Sequence, residues 1–249
     1  MLEQLSCQAK HNLSYSFMAT IFLTGASGGL GHVVTQTLLN QGHRVIATVH
    51  SATNTHQEST DSPGELVSYP VDLTDAVAVD TLVKQIITNH GPIDAAVLLA
   101  GGFAPGSLLE TDAALIDSML TMNFKTAYNA VQPIFAHMTQ QPNGGRFVLI
   151  GARPALDVQA GQHLVAYALS KSLLFQLSDI INATGKLNNI VSTVIVPSTI
   201  DTSTNRQAMP DADFTTWVDP QDLADMITFV LFDKGRILRE PVLKVYNRA

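Results

Sequence analysis

From Ala19 onward, short continuous apolar runs alternate with stretches of helical period, and that alternation leaves few folds open. Residues 20–23, 44–49, 66–69, 95–99, 146–150, 190–196 and 243–245 read as strands, and 29–40, 76–89, 113–138, 164–183 and 221–232 as helices. A strand apolar on both faces needs cover on both sides, and a helix between successive strands makes them parallel. The expected fold is therefore α/β, a doubly wound parallel sheet of about seven strands with helices on both faces. At 249 residues the chain fits one such domain, spanning 18–249. The polar stretch 51–64 reads as a surface loop in place of a helix, and 198–218 as a loop beside the ligand. Residues 1–17 lack the pattern of a signal peptide and are expected to be a disordered extension.

Sheets of this kind bind ligands at the carboxyl ends of their strands. The first strand runs into Thr24-Gly25-Ala26-Ser27-Gly28-Gly29-Leu30-Gly31 and then a helix, the context of a dinucleotide seat. Gly25 suits a tight turn, Gly29 a close approach of backbone to pyrophosphate, and Gly31 the packing of helix on sheet, with the helix N-terminus facing the phosphates. Much later come Tyr167 and Lys171, four residues apart and so on one helical face. A phenol and an ammonium there point to proton exchange, the cation being expected to lower the tyrosine pKa. Seat and pair together read as an oxidoreductase.

Thr-Gly-x-x-x-Gly-x-Gly with a later Tyr-x-x-x-Lys resembles the short-chain dehydrogenase/reductase family from Met18 onward. The resemblance implies a Rossmann fold with Tyr167, Lys171 and Asn123 as the catalytic group. It implies cofactor contacts from Gly25, Ser27, Gly28, Gly29 and Leu30, and adenine contacts from Asp72 and Leu73. Ala100, Gly101 and Gly102 stand where the family's Asn-Asn-Ala-Gly ends the fourth strand, and Pro197, Ile200 and Thr202 where its nicotinamide contacts lie. At the end of the second strand an acid suits NAD and a cation suits NADP. This chain has His50 followed by Ser51, which favours NADP(H) over NAD(H).

The family's serine after the fifth strand is absent, since no hydroxyl occurs between Arg146 and Tyr167. A narrower resemblance, to the dihydropteridine reductase branch, covers Ala100 to Ala104, Gly151 to Asp157, and Asp201-Thr202 with Asn205-Arg206 and Met209 through Trp217. That branch has alanine in place of the serine and reduces a conjugated C=N system, quinonoid dihydropteridine. It also carries an aspartate where this chain has His50 and a tryptophan where it has Phe103. Phe103, Arg153, Phe214 and Trp217 are the candidate substrate contacts, with lid or core packing as the alternative for the aromatics. Two other functions remain open: a carbonyl or quinone reductase in which Thr199 or a water supplies the hydroxyl, and a non-catalytic dinucleotide sensor.

Net charge of -7 argues against nucleic acid or an anionic membrane as partner, and no apolar run reaches about 18 residues. The eight histidines are scattered, so no metal site is expected, and the single Cys7 forms no internal disulfide. A cytoplasmic setting and a small-molecule substrate follow. Charged residues make up only 14%, against about 25% in an average soluble domain, and the helices over 123–138 and 164–183 are apolar round much of their circumference. Both features point to a homodimer or homotetramer.

Overall fold

The computed structural model describes residues 18–50, 62–232 and 234–248. The expected extension over 1–17, Cys7 and most of the 51–64 loop, with Ser51, lie outside the described residues. Seven strands form one sheet: β1 (Thr20–Thr24), β2 (Arg44–Val49), β3 (Glu65–Pro70), β4 (Ala95–Leu98), β5 (Gly145–Ile150), β6 (Ile190–Pro197) and β7 (Val242–Val245). All pairs are parallel, in the order β3-β2-β1-β4-β5-β6-β7. The order reverses between β1 and β4, where Thr24 stands opposite Leu98. Loops leaving β1 and β4 must diverge there, so a crevice opens at their carboxyl ends.

The inner strands are almost wholly buried because each face is covered, whereas the edge strands β3 and β7 are only partly buried. Phe22, Ile46, Leu98, Phe147 and Leu149 pack beneath α2 (Ala76–His90), α4 (Thr126–Met138) and α6 (Val165–Gly185). Ile21, Leu23, Val45, Ala47 and Val97 face α1 (Gly29–Asn40) and α8 (Pro220–Leu231). Full burial of a side chain such as Phe22 or Leu23 contributes roughly 1.5–3 kcal/mol, so the central strands anchor everything their ends carry.

The helix starts are written in the chain. Asp75 caps α2 by accepting from the N–H groups of Val77 and Ala78, Asp112 caps α3 (Ala113–Leu120), and Asp219 with Pro220 begins α8. The start of α1 has no such cap: Gly28 precedes it with no side-chain bond to the first turn. The expected single helix over 113–138 is a correction. Residues Thr121–Lys125 form a π turn between α3 and α4. A π turn inserts one residue, which shifts the facing of everything after it by roughly one helical position. Nothing in the apolar spacing announces it.

Candidate active site

Four loops meet over the crevice, those after β1, β4, β5 and β6. The first two are tied together, because the Thr24 hydroxyl accepts from the Ala100 N–H at 3.1 Å. Gly25 has φ +73°, and a Cβ there would lie 2.8 Å from the Ala100 nitrogen, so the turn needs glycine twice over. A Cβ on Gly31 would strike the Gly25 carbonyl oxygen, so α1 can pack this closely on its own turn only through glycine. Ser27, Gly28 and Gly29 are exposed while Leu30 is buried, which leaves a bare, uncapped helix end facing the crevice. From the β6 loop, the Thr202 methyl group lies 2.7 Å from where a Cβ on Gly29 would be. A glycine-walled helix end with free first-turn donors fits a diphosphate.

The residues expected on the adenine side are equally fixed. Asp72 follows β3, and its carboxylate accepts from the Thr74 hydroxyl at 2.7 Å and the Thr74 N–H at 2.8 Å. Those two bonds hold its pKa below the usual range, with a smaller contribution from the nearby His50. The buried Leu73 offers its carbonyl to Asn129 at 2.9 Å. His50 is exposed at the end of β2.

Tyr167, Lys171 and Asn123 come together beside this seat. Lys171 is buried, and its ammonium donates to the Ile150 carbonyl at the end of β5, 2.9 Å away. Asn123, placed inward by the π turn, is 1% exposed; its oxygen accepts from the Gly102 N–H at 2.9 Å and its amide donates to the Ser170 hydroxyl at 3.0 Å. Ser170 in turn donates to the Tyr167 carbonyl at 2.8 Å. A Cβ on Gly101 would sit 2.6 Å from the Asn123 oxygen and 3.4 Å from the Lys171 nitrogen, so the loop after β4 lies directly on both. Ser170 is the residue that sequence reasoning passed over. Its signal was its position, three after Tyr167 and so on the same helical face.

The electrostatics correct one expectation. Burial pushes the Tyr167 phenol up to about 12 rather than down, and pushes the Lys171 ammonium down to about 8. A lysine that titrates near 8 is neutral over the range in which such a phenol ionises, so its charge gives the phenolate no help. At neutral pH the site therefore holds a protonated phenol.

The family model for short chain dehydrogenase matches residues 19–213. The chain belongs to the short-chain dehydrogenase family. It is 28% identical over 186 residues to the probable oxidoreductase EphD of Mycobacterium tuberculosis, covering 74% of this chain but only 31% of that longer protein. It is 27% identical over 211 residues to dihydropteridine reductase of Dictyostelium discoideum, covering 83% and 85% of the two chains. The solved structure of ElxO with NADP bound superposes with a TM-score of 0.83 at 20% identity, covering 92% of this chain and 97% of that one. At that identity the likeness establishes the fold.

On the loop after β5, where the resemblance leads one to expect a serine, stands the buried Ala152, 4% exposed. The candidate substrate residues differ in exposure. Phe103 is 63% exposed and meets Tyr167 edge-on, ring centroids 5.1 Å apart. Arg153 lies 5.3 Å from the Tyr246 ring centroid and 3.5 Å from the Asp157 carboxylate, at the rim. Phe214 packs on Trp217 at 4.8 Å, and Trp217 is buried, so the tryptophan touches its neighbour rather than the open crevice. Pro197 ends β6; Ile200 pairs with Val218 and offers its carbonyl to the Thr202 N–H and the Asn205 amide. Among the described residues no group of three or more His, Cys, Asp or Glu could hold a metal, and no helix is long and apolar enough to cross a membrane.

Proposed function

We propose that this protein is a reductase that uses NADPH in preference to NADH to reduce a conjugated imine or carbonyl of a small flat molecule, with quinonoid dihydropteridine as the specific substrate. The cluster of Tyr167, Lys171 and Asn123 beside the uncapped glycine turn carries that reading. When bound, the nicotinamide supplies a hydride. The Tyr167 hydroxyl holds the proton that the reduced atom takes up, and burial, which raises its pKa to about 12, keeps it protonated at neutral pH. Lys171, anchored on the Ile150 carbonyl, fixes the helix turn that carries the phenol and presents its remaining N–H groups to the ribose. Asn123 and Ser170 lock the same turn from the other side. The methyl group of Ala152 offers no second donor, so the substrate has to be one whose acceptor atom is already activated by conjugation. Phe103 gives such a ring system an exposed aromatic face next to the phenol.

The Dictyostelium relative supports the pterin assignment, and the NADP in the ElxO structure supports a nicotinamide dinucleotide without choosing between the two forms. Oxidation of NADPH and of NADH by the purified protein, with quinonoid dihydropterin and with a panel of ketones and quinones, tests the proposal. Turnover on the panel alone would remove the pterin, and no turnover on either would remove the reductase.

His50 sets the nucleotide choice in this reading. A carboxylate there would repel a 2'-phosphate and bond a free ribose hydroxyl, so His50→Asp is expected to move the ratio of kcat/KM values at least about tenfold towards NADH. An unchanged ratio would place the choice elsewhere. On the outer face, Met122, Tyr128, Leu169, Leu173 and Ile180 are exposed apolar or aromatic side chains of the π turn, α4 and α6. In our reading they meet a second copy of the chain, so sedimentation should show a dimer or tetramer, and Leu169→Glu with Leu173→Glu should shift it towards monomer.

A further inference from the structure

Thr202, Asp201 and Arg206, joined partly through the backbone, lie between the glycine turn and the aromatic pair of the β6 loop. Thr202 lies over Gly29 and caps α7 (Ser203–Ala208), its hydroxyl accepting from the Asn205 N–H at 3.2 Å. One turn further on, Arg206 reaches back to the residue before that cap. Its Nε meets one Asp201 carboxylate oxygen at 2.5 Å and its Nη2 the other at 2.7 Å. The same guanidinium lies 4.7 Å from the centroid of the Phe214 ring, and Phe214 leans on Trp217. Trp217 is held from behind, since the Asn247 amide donates to its carbonyl at 2.6 Å. Asp201 is pinned through its own N–H, which donates to the Val218 carbonyl at 2.8 Å.

The geometry is that of a planar two-pronged fork whose flat face rests on an aromatic ring, which arginine can make and lysine cannot. An exposed ion pair of this kind adds little stability, so its consequence is positional. Thr202 and Asp201 are neighbours in the chain, and Arg206 joins Asp201 to the Phe214 ring, so a path of contacts runs from the glycine turn to the aromatic pair.

We infer that Arg206 is a positioning residue that couples occupation of the seat at Gly29 and Thr202 to the placement of Phe214 against Trp217. The inference rests on the reading of that turn as a dinucleotide seat. It assigns Arg206 a task that neither the seat nor the proton donor performs, that of making the aromatic side of the site respond to the cofactor.

Trp217 is the only tryptophan of the chain, so the coupling has its own optical readout. The experiment follows tryptophan emission during titration with NADP+ and measures NADP+ affinity in parallel by calorimetry, in the unaltered protein and in Arg206→Gln, Arg206→Lys and Asp201→Asn. NADP+ is expected to change the emission of the unaltered protein. Both Arg206 variants should keep near-normal melting temperatures and bind NADP+ no more than about fivefold more weakly, yet lose at least about half of the emission change at saturation. Asp201→Asn, which keeps one acceptor for the fork, should lose less. Variants that respond as the unaltered protein does would overturn the coupling, as would NADP+ binding to the unaltered protein without any emission change. Failure of the unaltered protein to bind NADP+ in the calorimeter would overturn the seat and the coupling together.

Discussion

Replacing Tyr167 with phenylalanine is expected to lower turnover on the order of a thousandfold while leaving the affinity for NADP+ nearly unchanged, since a positioned general acid contributes about 10²–10⁴. The split follows from the position of the ring. Its body packs edge-on against Phe103, and phenylalanine preserves that contact. What disappears is one hydroxyl, and with Ala152 in place of the family's serine no neighbouring side chain at that position can stand in for it. The loss should therefore fall on kcat. Single-turnover measurements with the best substrate, alongside calorimetric NADP+ titration, would check both halves. Unchanged turnover would remove Tyr167 as the proton donor, and a matching loss of NADP+ affinity would show that the phenol serves the seat instead.

Lys171→Met should cut activity about a hundredfold or more and yet make the protein harder to unfold at neutral pH. The activity loss follows from removing the charged donor beside the ribose and the anchor on the Ile150 carbonyl. The stability gain follows from burial, which drives the lysine from 10.5 to about 8, a differential of about 3 kcal/mol at roughly 1.4 per pH unit. Because the folded-state pKa lies below the unfolded one, the unfolded chain binds more protons between about 8 and 10.5, and stability rises with pH across that window. Above the unfolded value the lysine costs nothing extra; as pH falls through about 8 the full penalty applies. Methionine, of similar length and uncharged, escapes it, and the loss of one hydrogen bond offsets part of the gain. Denaturant unfolding at pH 7 and at pH 10 tests this. The variant should be more stable than the parent at pH 7 by about 1–2 kcal/mol, with the gap closing at the higher pH. A variant less stable at both would show that the ammonium is well solvated in the folded protein.

Much of the architecture was legible because the physics behind it is local. The inner strand runs are apolar on alternate and intervening positions alike, which only a two-sided burial explains. The glycine turn was legible for the same reason. A φ of +73° at Gly25 is a requirement on one residue and its immediate neighbours. The Tyr167 to Lys171 spacing depends on nothing beyond one turn of helix.

The rest depended on what arrives from elsewhere in the chain. Residues 113–138 keep a helical rhythm, but Thr121–Lys125 form a π turn whose Asn123 is bonded on one side to Gly102 and on the other to Ser170, 21 and 47 residues away. Arg206 entered the sequence reading only as part of a resemblance, and its contacts with Asp201 and Phe214 are set by the tertiary structure. The direction of the Tyr167 shift was hidden most completely. The sequence by itself determined the sheet, the glycine turn and the one-turn spacing of Tyr167 and Lys171, because periodicity, backbone angle and helical spacing are short-range properties. Only the tertiary structure decided how deeply that pair is buried, and the desolvation that sets both pKa values is a property of everything packed around it.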